Sequence, residues 1–348
     1  MPLRIVVVSP TTLLPLLLFC LVAVTITQAL TAPSPPTTVV YGPQSRELLL
    51  LVAKLAASSQ YCFGGSDTST ETAAAASQQQ QRSAYCICAP GTEEGCRRLL
   101  YSTDYADAGI DEEGHAKPIS DPENMSVALG AADSLVLVAT EEPVDGTTME
   151  TFLKYTTPDL LKKIVLISTM GVTGGDGGGG FFGGGGRNQK QLESETTLKK
   201  MAKERNLEFS IIRAGICKGG GPSVDDDGQA VHEDLALSKA YYNTILDVVD
   251  YKVTLAHDTF SLGATTDSIV AGDPHTLPNR FTQMGTKASF DPSPTDSNRI
   301  VVAAAAVAAL YQPPVEVSVG TAAGTKLPTL EELSAVLGTY TTTQSQSQ

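Results

Sequence analysis

The sequence predicts an α/β protein, a doubly wound parallel sheet with a small C-terminal lobe, and three stretches carry that prediction. The run K-K-I-V-L-I-S-T-M-G-V from Lys162 is apolar, β-branched and closed by hydroxyl residues. It reads as a buried parallel strand that delivers Ser168 and Thr169 to its C-terminal end. After a glycine-saturated loop and a polar helix, Leu207 to Arg213 reads as the next strand of the same kind. The third stretch, Asp133 to Thr140 (D-S-L-V-L-V-A-T), is continuously apolar, as a strand covered on both faces requires. A strand–helix–strand unit of this length is the crossover of a parallel sheet. Ligands of such sheets sit beyond the carboxyl ends of the strands, which locates a site without naming a reaction.

The remaining elements follow in order. T-T-V-V-Y at Thr37 to Tyr41 is a short β-branched strand broken by Gly42, and R-E-L-L-L-L-V-A-K-L-A-A continues as a strongly apolar helix. Residues 58–82, with runs of Ala and Gln, form a low-complexity insertion. Ala84 to Pro90 is the second strand, and a polar region reaches Pro118. Asp121-Pro122-Glu123 supplies the N-cap, N1 proline and first-turn acid of a helix over about Asn124 to Leu129. A further helix spans about Thr147 to Tyr155. After Arg213 the chain becomes irregular. Leu235 to Val249 is helical, Asp296 caps an Ala/Val helix through Leu310, Val315 to Val319 is a strand, and Pro328 opens a last helix. Residues 37–218 are thus the α/β domain, 219–340 a C-terminal lobe returning to it, and 341–348 a disordered tail.

Composition narrows the partners. The 348 residues carry a net charge of −14, which excludes nucleic acid or an anionic membrane surface as the main partner. Tryptophan is absent, so a base-stacking platform is not expected. Residues 1–36 read as a presequence. Arg4, the apolar run of Leu13 to Ile26 and the small residue Ala29 make a cleaved secretory signal, leaving no membrane span. Ala29, Leu30, Thr31, Ala32 and Pro33 resemble the bipartite plastid presequence of algae with complex plastids. The resemblance implies a plastid destination, with plain secretion as the alternative. Five cysteines remain (Cys62, Cys86, Cys88, Cys96, Cys217), an odd set without metal-ligand spacing, and they read as buried apolar residues rather than a disulfide framework or a metal site.

The turn after the first strand is where a dinucleotide fold carries its phosphate loop. Here it reads Gly42, Pro43, Gln44, Ser45, Arg46, with Leu48 where a third glycine would let helix and strand pack closely. Ser45 retains a hydroxyl, and the helix N-terminus retains its free N–H groups. Leu48 is expected either to push the helix off the sheet or to turn into the core. These pieces, together with D-P-E-N-M, A-D-S-L-V-L-V-A-T, K-K-I-V-L-I-S-T-M-G-V, L-E-F-S-I-I-R-A-G and P-T-L-E-E-L, resemble the atypical short-chain dehydrogenase/reductases of the NmrA-like, NAD(P)-binding kind over about Thr37 to Val336.

The resemblance implies a Rossmann-like fold, NADP or NAD as cofactor and room for a small-molecule ligand. It places Gly42, Pro43, Gln44, Ser45, Arg46, Ala139, Thr140 and Arg213 at the cofactor, and Thr169, with Ser168 beside it, in the catalytic hydroxyl position. It also implies a Tyr-x-x-x-Lys pair on the following helix. That helix, R-N-Q-K-Q-L-E-S-E-T-T-L, contains no Tyr; Arg187 stands near the Tyr position and Lys190 or Gln191 near the Lys position. Family-type carbonyl reduction is therefore not expected, and a catalytically silent redox-sensing or assembly scaffold is the alternative. The glycine-rich loop of residues 173–186, with Phe181 and Phe182 at its centre, reads either as a lid over a ligand or as a tolerated insertion. His257, Tyr241, Tyr242 and the Gly320–Lys326 turn are weaker candidates.

Overall fold

In the computed structural model, which describes residues 36–43, 46–57, 83–101, 116–173, 185–218, 269–273, 296–320 and 330–344, the first strand sits inside the sheet rather than at its edge. Strand β1 (Thr37–Tyr41) pairs in parallel with β2 (Ser83–Ile87) on one side and β4 (Ser134–Val138) on the other. Outward from β2 lies β3 (Ala116–Ile119), and outward from β4 lie β5 (Lys163–Thr169) and β6 (Glu208–Ala214). The sheet continues through β10 (Glu316–Val319), parallel to β6, to the short antiparallel β8 (Ile269–Ala271). The order β3-β2-β1-β4-β5-β6-β10-β8 is the doubly wound Rossmann arrangement extended by two strands. A separate parallel pair joins β7 (Ile216–Lys218) to β9 (Asp296–Asn298).

Alternation along each strand divides the core into two layers. Val40, Val138, Val165, Ile167 and Ile212 face helices α1 (Arg46–Ala57) and α6 (Arg299–Tyr311). Leu135, Leu137, Ile164, Leu166 and Ile211 face α3 (Pro122–Ala131), α4 (Gly146–Tyr155) and α5 (Gly185–Arg205). Every residue of α6 from Ile300 to Ala309 is buried, which explains its Ala/Val composition: a helix apolar all round must be covered all round. Leu48 takes the second of its two options and turns into the core at 3% exposure.

The expected strands from Thr37 to Arg213 lie in one sheet with parallel pairing throughout that stretch. Helix α2 (Glu93–Leu100) and strand β3 escaped the sequence reading inside the region expected to be merely polar, as did the short strands β7 and β9 further on. Pro118 can occupy β3 because, among the described residues, β3 is an edge strand with no second neighbour to miss its N–H. Asp121 caps α3 as expected, accepting the Asn124 N–H at 2.8 Å. Two corrections concern the C-terminal part. Helix α6 is capped by Asn298, whose Oδ1 accepts the Ile300 N–H at 2.9 Å; Asp296 lies on β9 instead. The last helix, α7 (Leu330–Gln344), runs into the segment expected to be disordered, since extending a formed helix is cheaper than nucleating one. The described residues beyond 218 build β8, β10, α6 and α7 into or against the main sheet; most of the expected lobe lies outside the described residues.

Candidate functional site

The strand order reverses between β1 and β4, and the crevice beyond their carboxyl ends is the switch point of the fold. Gly42 closes β1 there. A Cβ at this position would lie 2.9 Å from Val138 Cβ and 3.0 Å from Val138 O, so only glycine lets the chain turn this close to the end of β4. Tyr41, one residue earlier, packs edge-on against Phe152 with ring centroids 4.7 Å apart. Burial, then the carboxylates of Asp145 and Glu142, push its phenol above the usual range, so it stays protonated.

The opposite wall is the end of β4. The Ala139 N–H donates to Ile167 O at 2.8 Å, and the Ala139 side chain belongs to the core. Thr140 is buried at the rim, followed by exposed Glu141 and Glu142. Pro43 borders the crevice with Gly42, whereas Gln44 and Ser45 lie outside the described residues, and of Arg46 only the helical backbone is described.

At the end of β5 the two hydroxyls part company. Thr169 is half-buried on the α1–α6 side. Ser168 points the other way and is fully buried beneath α5. It donates to Glu195 Oε1 at 2.6 Å and accepts from Gln191 Nε2 at 3.0 Å. Expected beside Thr169 as a catalytic group, Ser168 is thus a saturated member of a core network. Arg213, expected at the cofactor, belongs to the same network. Alternation along β6 turns it under α5, where Nε and Nη2 donate to Glu195 at 3.0 and 2.7 Å and Nη2 also donates to Glu316 at 3.0 Å. Lys199 closes the chain with an ion pair to Glu316 at 2.7 Å. Two cations thus face two carboxylates, and every member has a partner, the condition under which burying charge is tolerable. Burial would raise the Glu316 carboxyl, but Lys199 and Arg213 more than offset this and hold it below its ordinary value.

The register of α5 settles which residue faces the strand. Gln191 is 1% exposed and bonded to Ser168, while Lys190 is exposed. The position expected to carry a lysine in a catalytic pair therefore holds an amide. The sequence signal for Glu195 was present: Gln191, Glu195, Leu198 and Ala202 form one buried row at helical spacing, with a carboxylate inside it.

One group at this edge was missed entirely. Asp273, just after β8, accepts the Gly171 N–H at 2.7 Å, the Thr173 N–H at 2.8 Å and the Thr173 hydroxyl at 2.8 Å. Gly171 adopts φ 76°, a left-handed turn at the point where the N–H groups of Gly171 and Thr173 meet that carboxylate. The clamp fixes the chain leaving β5 at the start of the glycine-rich stretch, of which residues 174–184, with Phe181 and Phe182, lie outside the described residues, as do Tyr241, Tyr242 and His257, while Gly185 and Gly186 open α5. Among the described residues no group of three His, Cys, Asp or Glu could hold a metal ion, and no helix is long and apolar enough to cross a membrane.

No protein-family model and no curated protein matches the sequence. Several solved structures are similar to this chain. UDP-glucuronic acid 4-epimerase from Bacillus cereus, solved with NAD and a fluorinated sugar nucleotide, is 12% identical, covers 85% of this chain and 80% of its own, and superposes with a TM-score of 0.41. Vestitone reductase from alfalfa is 8% identical over 81% and 76% of the two chains, with a TM-score of 0.41. A short-chain dehydrogenase from Streptomyces avermitilis is 13% identical over 91% and 96%, with a TM-score of 0.39. Likenesses at this level add nothing to the chemistry, and the fold itself rests on strand order and register.

Proposed function

We propose that the chain binds a nicotinamide dinucleotide, NAD or NADP, across the carboxyl ends of β1 and β4, as an atypical short-chain-dehydrogenase-like protein of the NmrA kind without Tyr–Lys reductase chemistry. The observation that carries this reading is the switch point itself. Strand order reverses at β1 and β4, and Gly42 leaves no room for a side chain where α1 begins. The residues fit the group. Gly42 and Pro43 bring the α1 N-terminus to the crevice, its N–H groups and dipole suit a pyrophosphate, and Leu48 is turned inward out of the way. Once bound, the dinucleotide would supply a hydride donor or acceptor; this chain's own residues bind and orient it, and Thr169, half-buried at the end of β5, is the hydroxyl nearest the strand end.

The end of β2 favours NAD over NADP. The turn of Cys88 to Thr92 carries no cation, Glu93 and Glu94 occupy the first turn of α2, and its two arginines stand in the last turn, Arg98 paired with Glu94 at 3.0 Å and Arg97 exposed. A 2′-phosphate there would meet carboxylates. A catalytically silent scaffold is the second reading, favoured by the burial of Ser168 and the absence of Tyr from α5. The presequence residues Ala29 to Pro33 support a plastid setting for either.

Titration calorimetry of the full-length chain with NADH and NADPH tests the reading. Micromolar NADH binding, weaker NADPH binding, and at least a tenfold loss in a Gly42→Ala chain that still unfolds cooperatively are expected. No heat with either dinucleotide would leave the scaffold reading alone.

A further inference from the structure

Three thiols meet in the corner where β2 passes under α1 and α2. Cys86 is fully buried on β2, Cys88 follows the strand at 7% exposure, and Cys96 on α2 is 2% exposed. The Cys88 thiol donates to Cys86 O at 3.6 Å. The Cys96 side chain is a hydrogen-bonding partner of Cys88, since the intervening residues fold back tightly. The Thr92 N–H donates to Ala89 O at 3.0 Å and the Cys96 N–H to Thr92 O at 2.9 Å, so the first turn of α2 stands directly over the end of β2. Cys86 and Cys88 flank Ile87 on the same chain segment, whereas Cys88 and Cys96 approach from two separate elements.

We propose that Cys88 and Cys96 form a disulfide when the chain folds in the presence of an oxidising low-molecular-weight disulfide, and that the folded, reduced protein is closed to the same reaction. In the unfolded chain one thiolate attacks the reagent, releasing one thiol and leaving a mixed disulfide. The second cysteine's thiolate displaces the other half. Two protein thiols are oxidised, one reagent disulfide is reduced to two thiols, and the chain becomes lighter by two hydrogens. Folding brings the pair together, but it also removes the thiolate. Hydrogen bonding to Cys86, together with burial, outweighs the lowering by the Cys96 side chain and pushes the Cys88 thiol up to about 12, and thiols so held are poor nucleophiles. The outcome therefore depends on when the chain meets the oxidant, before burial or after it. A chain routed through an oxidising compartment would keep the link, and one folded in a reducing compartment would keep the thiols. The inference stands whether or not the crevice binds a nucleotide.

The test compares two histories of the full-length chain. One sample is unfolded, reduced and refolded with oxidised glutathione; the other is folded under reducing conditions, desalted and exposed to the same reagent for the same time. Cleavage after Glu94 separates Cys96 from Cys86 and Cys88, and mass mapping without reductant identifies the linked fragments. The refolded sample should show the Cys96 fragment joined to that carrying residues 86 and 88. The link should persist in a Cys86→Ser chain and vanish in a Cys88→Ser chain. The folded sample should retain all three thiols. A link through Cys86, a link from Cys88 or Cys96 to Cys62 or Cys217, no link at all after refolding, or oxidation of the native chain as fast as the unfolded one would overturn the proposal.

Discussion

Replacing Lys54 with methionine should stabilise this protein. Lys54 lies on α1 within the apolar run Leu48–Ala57, is 6% exposed, and has its ammonium 4.4 Å from the centroid of the Tyr101 ring. The ring is held by the Tyr101 hydroxyl donating to Ala116 O at 2.8 Å. Burial lowers the amine from 10.5 to about 8. A shift of that size corresponds to roughly 3 kcal/mol at 1.36 kcal/mol per unit. The aromatic face returns about 1 kcal/mol of it, leaving a net cost of about 2 kcal/mol for keeping the charge inside at neutral pH. Methionine has a similar unbranched shape without the charge, so Lys54→Met should gain about that amount at pH 7. The sign of the pH dependence follows from the lowered value. Between pH 8 and 10.5 the unfolded chain holds a proton that the folded chain has released, so wild-type stability from this group rises with pH across that window. The variant lacks that rise, and the two curves should converge near pH 10. Urea unfolding at a series of pH values, with unchanged m, measures this. A less stable variant at pH 7, or two parallel pH profiles, would refute the reasoning.

Two further outcomes concern the network under α5. Glu195→Gln should destabilise by about 3–5 kcal/mol, because Arg213 would keep its buried charge with less to neutralise it; Glu195→Leu combined with Arg213→Met should cost less than either change alone, as a double-mutant cycle in urea would show. Glu316→Gln should flatten the acid limb of the stability curve. The wild-type carboxylate contributes above its ordinary value of 4.5 and loses that contribution as the pH falls through its lower folded value, so acid titration of unfolding midpoints should separate the two chains only at higher pH.

The central strands were legible because their β-branched runs have no other physical use: Val136, Val165 and Ile211 are buried where their patterns implied. Strand β3 was not legible, since A-K-P-I is four residues long with a proline, and only its place at the sheet edge makes it a strand. Helix α2 hid behind E-E-G-C-R-R, a polar string whose inward face shows only as Cys96, Leu99 and Leu100. At the site, the glycine of the first turn was readable from its neighbours, and the structure adds the reason in Val138. The inward turn of Arg213 and Ser168 has a common cause. A strand end carries residues to both faces, and one-dimensional pattern does not say which face is open. Their partners, Glu195 on the helix between them and Glu316 near the C-terminus, become neighbours only through the winding of the sheet.

The position of α6 has a consequence for how the chain is made. The apolar surface of α1 is completed by a helix that starts at Arg299, and β6 gains its outer neighbour only at Glu316. A ribosome delivering this protein therefore releases a half-covered sheet long before its cover emerges, and truncation anywhere ahead of Val319 strands that surface in water. Nascent chains should depend on holding factors until the final stretch is synthesised, and the C-terminal part cannot be trimmed away as an accessory.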